Sequence, residues 1–253
     1  MEQYTIPNLV KAIDTLRLIS QHPQGLNALA IEKQTLVPRT TVFRILRTLL
    51  SVGWVRKDND RYYAGPGLVE IGLNAINKLE IRQLAAPILQ ELTAETEFTS
   101  HLAIPSGTQS MIVEVCDSPH PLRVASRPGS RVSMHCSSTG KIFLSYLYAD
   151  QLATHLGTKA LPARTDNTLV DIPNLQAMTE QVLHDGYAVD DREYDENIRC
   201  VAAPVFNLNQ QVIAALGVTS SLKRFTKNRI PALAKIVVGA AQKLSEHLGA
   251  STS

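Results

Sequence analysis

The stretch PRTTVFRILRTLLSVGWVRKDNDRYYAG, residues 38–65, constrains the fold more than any other part of the chain. Val42, Ile45, Leu46 and Leu49 recur at helical spacing and define one apolar face, and Pro38 suits a helix start because its missing N–H is not needed there. Arg39, Thr40, Thr41, Phe43, Arg44 and Arg47 fall largely outside that face, so they point outward. Two runs that read as strands follow at once, Trp54–Lys57 and Arg61–Ala64, around an Asp58-Asn59-Asp60 turn.

Upstream, Leu9, Ile13 and Leu16, with Val10 and Ile19 beside them, predict a first helix that Pro7 opens and that ends near Ser20–Gly25. A short helical stretch over Ala28–Lys33 and a break at Gln34–Pro38 precede the arginine-bearing helix. Three helices followed by a hairpin is the order of a winged helix-turn-helix, whose second motif helix enters the DNA major groove. On that reading Arg39, Thr40, Thr41 and Arg44 reach base edges, with Phe43 beside them, while Arg47, Arg56, Lys57 and Arg61 hold phosphates. The plain alternative is a solvated amphipathic helix. Charge partition favours the first: residues 1–65 carry nine Lys and Arg against five Asp and Glu, and the rest of the chain sixteen against eighteen.

At 253 residues and 44% hydrophobic content the chain has room for two domains with real cores. No apolar run is long enough to span a membrane, and MEQYTIPNL lacks the order of a signal peptide, so the cytoplasm is the expected compartment. Cys116, Cys136 and Cys200 are an odd, widely spaced set without CxxC, which argues for free thiols over disulfides or zinc. No cofactor is expected.

Beyond the hairpin, Leu68, Ile71, Gly72, Ala75 and Leu79 lie near one stripe of a linking helix, and a second amphipathic segment runs over Ile81–Thr93. Strand-like runs follow at TSHLAI, MIVEVC and LRVASR, then helical STGKIFLSYL and NLQAMTEQVLHDG, strands CVAAPVF and VIAALGVTS around an NLNQ turn, and a last helix from about Asn228 to Leu248. The class is α/β in an α+β arrangement, helices laid on an antiparallel sheet. The expected division is a DNA-binding domain at 1–65, a linker helix at 66–80 and a sensor domain at 81–253.

Taken together, LVKAIDTLRLISQHPQGL, PRTTVFRILRTLLSVGWVRKDNDRYYAGPGLVEIG, GSRVSMHCSSTGKIFLSYL and GYAVDDREYDENIRCVAAPVFNLNQQVIAALGVT resemble the IclR-type bacterial transcriptional regulators over nearly the whole chain. The resemblance implies a winged helix joined by a linker helix to a GAF-like effector domain. It further implies dimers or tetramers on palindromic double-stranded operators near catabolic genes, more often as repressors. It places a small organic-acid or aromatic effector, a carboxylate by preference, against Ser138, Thr139, Asp190, Cys200, Gly217 and Thr219. A helix start attracts carboxylate oxygens, and a thiol or hydroxyl can donate to them. The sequence departs from the family pattern in several places: Gly217 stands where many members have serine, Ser138-Thr139 replaces a smaller pair, Leu36 takes the place of the usual turn glycine, and Glu32 that of an alanine.

Other readings remain. Cys200 is either a thiol nucleophile, which needs a base the sequence does not pair with it, or a small buried hydrophobe. His101, His135 and Cys136 lack metal-ligand spacing. STGK lacks the earlier glycine and the Ser/Thr of a phosphate loop. A third reading keeps a ligand-binding or oligomerising module without operator recognition.

Overall fold

The computed structural model describes residues 5–77, 80–120, 127–157 and 160–250. The chain divides into two compact units, Met1–Lys78 and Leu79–Ser253.

In the first unit, α1 (Pro7–Ser20), α2 (Ala28–Thr35) and α3 (Arg39–Ser51) precede a hairpin of β1 (Val55–Asp58) and β2 (Arg61–Ala64), followed by α4 (Pro66–Asn77). Asn27 caps α2 by accepting the Ala30 N–H at 2.9 Å. Ile19, Ile31, Val42, Leu46, Val55 and Tyr62 form the core, and Leu68 at the start of α4 packs against it. The hairpin is fastened to the α1–α2 loop by reciprocal backbone bonds between Leu26 and Tyr62, 3.1 and 2.8 Å. The apolar stripe of α1 is only half used. Leu16 and Ile19 are buried, whereas Ile6, Leu9, Val10 and Ile13 are exposed. On α4, Ile71 is exposed as well, and Leu79 lies outside the described residues.

The second unit begins with α5 (Glu80–Thr96), then β3 (Thr99–Ser106), β4 (Gln109–Cys116), β5 (Arg131–Ser133), α6 (Ser138–Leu147), α7 (Leu152–Leu156), α8 (Ile172–Asp185), β6 (Ala188–Asp191), β7 (Ile198–Phe206), β8 (Val212–Ser221) and α9 (Ile230–His247). The strands form one antiparallel sheet of order β5-β4-β3-β8-β7-β6. The expected strand at LRVASR falls, all but Arg127, outside the described residues, while β5 and β6 add short edge strands.

Alternation along β3, β7 and β8 sorts side chains between two cores. Leu102, Val201, Ala203, Leu216 and Val218 face α5 and α9, where Phe98 and Phe225 pack with centroids 5.3 Å apart. Ala103, Ala202 and Ala215 face α6 and α8, against Ile142, Phe143 and Leu175. With both faces covered, each fully buried Leu or Phe contributes about 1.5–3 kcal/mol. α6 begins hard against the short 3-10 turn Met134–Cys136: a Cβ on Gly140 would sit 2.3 Å from the Met134 Cα, so only glycine fits.

Leu36 ends α2 with φ 56° and ψ 22°, so the turn requires a left-handed residue and a leucine supplies it. Its side chain is 89% exposed, leaving no packing to offset the strain. Leu36→Gly should therefore stabilise the first unit by about 0.5–1 kcal/mol, the relieved αL strain less the added freedom of the unfolded chain. Urea denaturation followed by the fluorescence of Trp54, the chain's single tryptophan and a member of this unit, measures it. An unchanged or lower midpoint would overturn the strain argument.

Candidate nucleic-acid interface and ligand cavity

The strong two-sidedness of α3 produces the first candidate site. Val42, Ile45, Leu46 and Leu49 are buried, which leaves Arg39, Thr40, Phe43, Arg44 and Arg47 on the exposed side and Thr41 half-buried at its border. Phe43 is 55% exposed, a large aromatic that the core does not claim. The Arg47 guanidinium lies 5.9 Å from its ring centroid. The guanidinium groups of Arg39 and Arg44 make no hydrogen bond or ion pair among the described residues.

On the hairpin, Arg56 sits 4.3 Å over the Tyr63 ring and Lys57 5.5 Å over Tyr62, each exposed at its charged end. Tyr62 is core and Tyr63 half-buried. Arg61, expected to hold phosphate, also bonds within the protein. Its Nη1 donates to the Gln24 and Gly25 carbonyls at 3.2 and 2.9 Å, which ties the hairpin to the loop after α1.

In the second unit a cavity of about 580 Å³ opens between the sheet and the start of α6. Antiparallel register sets two rungs of one sheet face beneath it, the second reaching the cavity through His101. One rung carries Asp190, Cys200 and Thr219 across β6, β7 and β8, and the next carries Ala202, Gly217 and His101 across β7, β8 and β3. Ser138, Thr139, Asp190, Cys200 and Thr219 all line the cavity, so five of the six expected residues come together. Gly217 does not line it. Its missing side chain leaves room that the His101 ring occupies, with Nε2 only 3.2 Å from where a Cβ on residue 217 would stand.

The lining groups are not equally available. Thr139 shares a 2.8 Å hydrogen bond with Ser110, whereas the Ser138 hydroxyl has no partner among the described residues. Thr219 donates to the Cys200 sulfur at 3.1 Å. Burial, reinforced by the nearby Asp190 charge, pushes the Cys200 thiol well above its ordinary range, so it stays protonated and is a poor nucleophile. Burial also raises the Asp190 carboxyl to about 6. Its Oδ1 accepts the backbone N–H groups of Glu193 at 2.7 Å and Tyr194 at 3.2 Å, so Asp190 shapes the β6–β7 loop as well as the cavity.

That loop is anchored from beneath by Lys141 of α6, 4% exposed, whose Nζ donates to the Val189 carbonyl at 2.8 Å and to the Glu193 carboxylate. The lysine of STGK is thus turned inward onto protein. His135, named above with Cys136, instead reaches the Pro162 carbonyl through Nε2 at 3.1 Å. Among the described residues no group of three or more His, Cys, Asp or Glu is placed to hold a metal ion.

Two family descriptions match this architecture: the IclR helix-turn-helix domain over residues 8–59 and the bacterial transcriptional regulator IclR C-terminal domain over residues 73–246. The chain belongs to the IclR family of bacterial transcriptional regulators. It is 29% identical to the regulator XynR of Escherichia coli over 246 residues, 96% of this chain and 98% of that one. It is 26% identical to the E. coli transcriptional repressor IclR over 244 residues, 95% and 89% of the two chains. The crystal structure of an IclR regulator from Alicyclobacillus acidocaldarius superposes with a TM-score of 0.84 at 26% identity, covering 96% of this chain and 99% of that one. This regulator is therefore a DNA-binding protein of that family and not an enzyme.

Sequence reasoning missed His101 and Arg131 in the cavity, and Lys141 as the anchor of its loop. Lys141 and Glu193 form a buried pair whose Glu193 Oε2 has no hydrogen-bond partner among the described residues. Lys141→Met strands the Glu193 charge and should cost about 3–5 kcal/mol, while Lys141→Met with Glu193→Leu should recover most of it. Urea denaturation followed by far-UV circular dichroism tests this, and a single variant within about 1 kcal/mol of wild type removes the pair from the account.

Proposed function

We propose that the protein is a cytoplasmic repressor of catabolic genes, which binds a palindromic operator as a homodimer or homotetramer and responds to a small carboxylate held in the C-terminal cavity. The observation that carries the proposal is the exposed side of α3, where Arg39 and Arg44 stand without protein partners next to an exposed Phe43. Such groups are hydrated in the free protein and available to pair with guanine edges and phosphates. Arg39, Thr40, Thr41 and Arg44 are the base readers. Arg47, Arg56 and Lys57 hold phosphates, and Arg61 fixes the hairpin that presents the last two. Among the described residues no helix is long and apolar enough to cross a membrane.

The start of the chain supports the assembly. Ile6, Leu9, Val10 and Ile13 are spaced to form one exposed apolar stripe, a surface that a second copy would cover by two-fold symmetry. Leu9→Asp combined with Ile13→Asp should convert the oligomer to a smaller species in multi-angle light scattering and weaken operator binding steeply. A wild-type chain that is already monomeric at micromolar concentration defeats this assignment.

The DNA reading is tested with duplexes drawn from the region flanking the protein's own gene. Arg44→Ala should cost about 1–3 kcal/mol on the cognate duplex and relax base preference, the loss expected for a bidentate contact. Arg47→Ala should instead weaken every sequence about equally and lower the salt slope by about one unit per lost phosphate contact in each subunit. Fluorescence anisotropy across several salt concentrations separates the two. If neither variant changes affinity, α3 does not enter the groove.

A further inference from the structure

His101 sits in the cavity floor, 4% exposed, and neither ring nitrogen has a hydrogen bond among the described residues. Nδ1 is enclosed by protein, and Nε2 lies over the gap left by Gly217. The ring is neutral, because burial lowers its pKa to about 4. A buried polar ring left unsatisfied is destabilising, so either packing forces it or a ligand completes it. Its surroundings do not call for a polar group: Ala103, the next residue of β3 on the same face, belongs to the apolar core.

We propose that His101 is a specificity-determining residue, which hydrogen-bonds a ligand hydroxyl and thereby selects a hydroxylated aliphatic carboxylate over an aromatic acid. The inference rests on the reading of this cavity as the effector site. Three features lead to the ligand class. First, a neutral imidazole presents a donor or an acceptor at Nε2 according to its tautomer, and a hydroxyl, which both donates and accepts, meets either one. Second, the adjacent rung is rich in acceptors: the Asp190 carboxyl and the Thr219 oxygen, whose own hydrogen is spent on Cys200. A ligand O–H group can pair with that Thr219 oxygen, whereas an aromatic ring cannot; Asp190 already accepts the Glu193 and Tyr194 N–H groups. Third, Tyr194 is the one aromatic side chain among the described lining residues, so no facing pair of aromatic side chains sandwiches a ring. The carboxylate end belongs across the cavity. There Arg131, the only cation among the described lining residues, and the free Ser138 hydroxyl at the start of α6 offer charge and donors.

A hydroxyl at 217 and an imidazole at 101 compete for the same space, since a Cβ there meets both Nε2 and, at 2.7 Å, the Val201 carbonyl.

The test uses the full chain with three probes, D-gluconate, hexanoate and benzoate, read by thermal shift and isothermal titration calorimetry. D-Gluconate should stabilise wild type while the other two bind at least tenfold more weakly. His101→Leu should raise the Tm of the ligand-free protein yet weaken D-gluconate at least tenfold and leave hexanoate and benzoate no weaker. A merely structural histidine does not produce these opposite signs. His101→Gln, which keeps a donor and an acceptor, should retain D-gluconate binding within about fivefold, a difference of roughly 1 kcal/mol. D-Gluconate binding unchanged in His101→Leu but lost in Cys200→Leu would overturn the role of His101 and leave the effector cavity standing. Binding unchanged in both would remove the ligand from this cavity and overturn both readings. Benzoate or hexanoate binding wild type as tightly as D-gluconate, or no response to D-gluconate, would overturn the ligand class.

Discussion

Strands β3, β7 and β8 are buried on both faces, and nearly everything about the second unit follows from that constraint. A strand with no solvent face cannot alternate apolar with polar freely, so every polar side chain it carries must be satisfied where it stands. Arg199 achieves this on the α9 side by reaching the Asp191 carboxylate at 2.6 Å and the Phe225 carbonyl. Ser100 achieves it by bonding Thr93 and the Leu89 carbonyl of α5 at 2.7 and 2.8 Å. On the α6 side the same rule fails at one end of the sheet, where His101 is unpaired and Asp190 carries a raised pKa. The cavity is the place where the sheet's own accounting is left open.

The pattern of helices was legible because Pro, Asn, Asp and Gly mark their ends. Ser138–Leu147 begins one residue after its cap, Ser137, and α8 is bounded by Asp171 and Gly186. Short edge strands were harder. β5 has three residues and β6 four, too few for alternation to rise above chance. Periodicity also reveals that a stripe exists, not what covers it. Leu9, Val10 and Ile13 share the spacing of Leu16 and Ile19, yet only the latter pair is buried by the rest of the unit.

The candidate sites divide along the same line. The outward side of α3 could be read directly, since a helix that buries Val42, Ile45, Leu46 and Leu49 has no choice about where Arg39 and Arg44 point. The structural bonds of Arg61 could not be read, because its partners, the Gln24 and Gly25 carbonyls, are more than thirty residues away. The cavity residues came from family likeness, and His101 could not have been found that way. Its relevance depends on the β3–β8 register that sets it opposite Gly217, and register is a property of pairing, invisible in either strand alone.

The same open accounting bears on how such a cavity can act as a switch. Asp190 binds the cavity on one side and two N–H groups of the β6–β7 loop on the other, and Lys141 clamps that loop through Val189 and Glu193. A ligand that satisfies His101 and bonds the rung of Asp190 and Thr219 stabilises the loop geometry those bonds define, by mass action on the form that holds it. Binding alone changes nothing elsewhere unless the ligand distinguishes two arrangements of the unit. The β6–β7 loop is suited to differ between them, because its anchor is a buried charge pair with one carboxylate oxygen unmet, an arrangement held by geometry more than by net stability. A core of well-packed leucines under the same loop would hold it more firmly and leave the ligand less to decide.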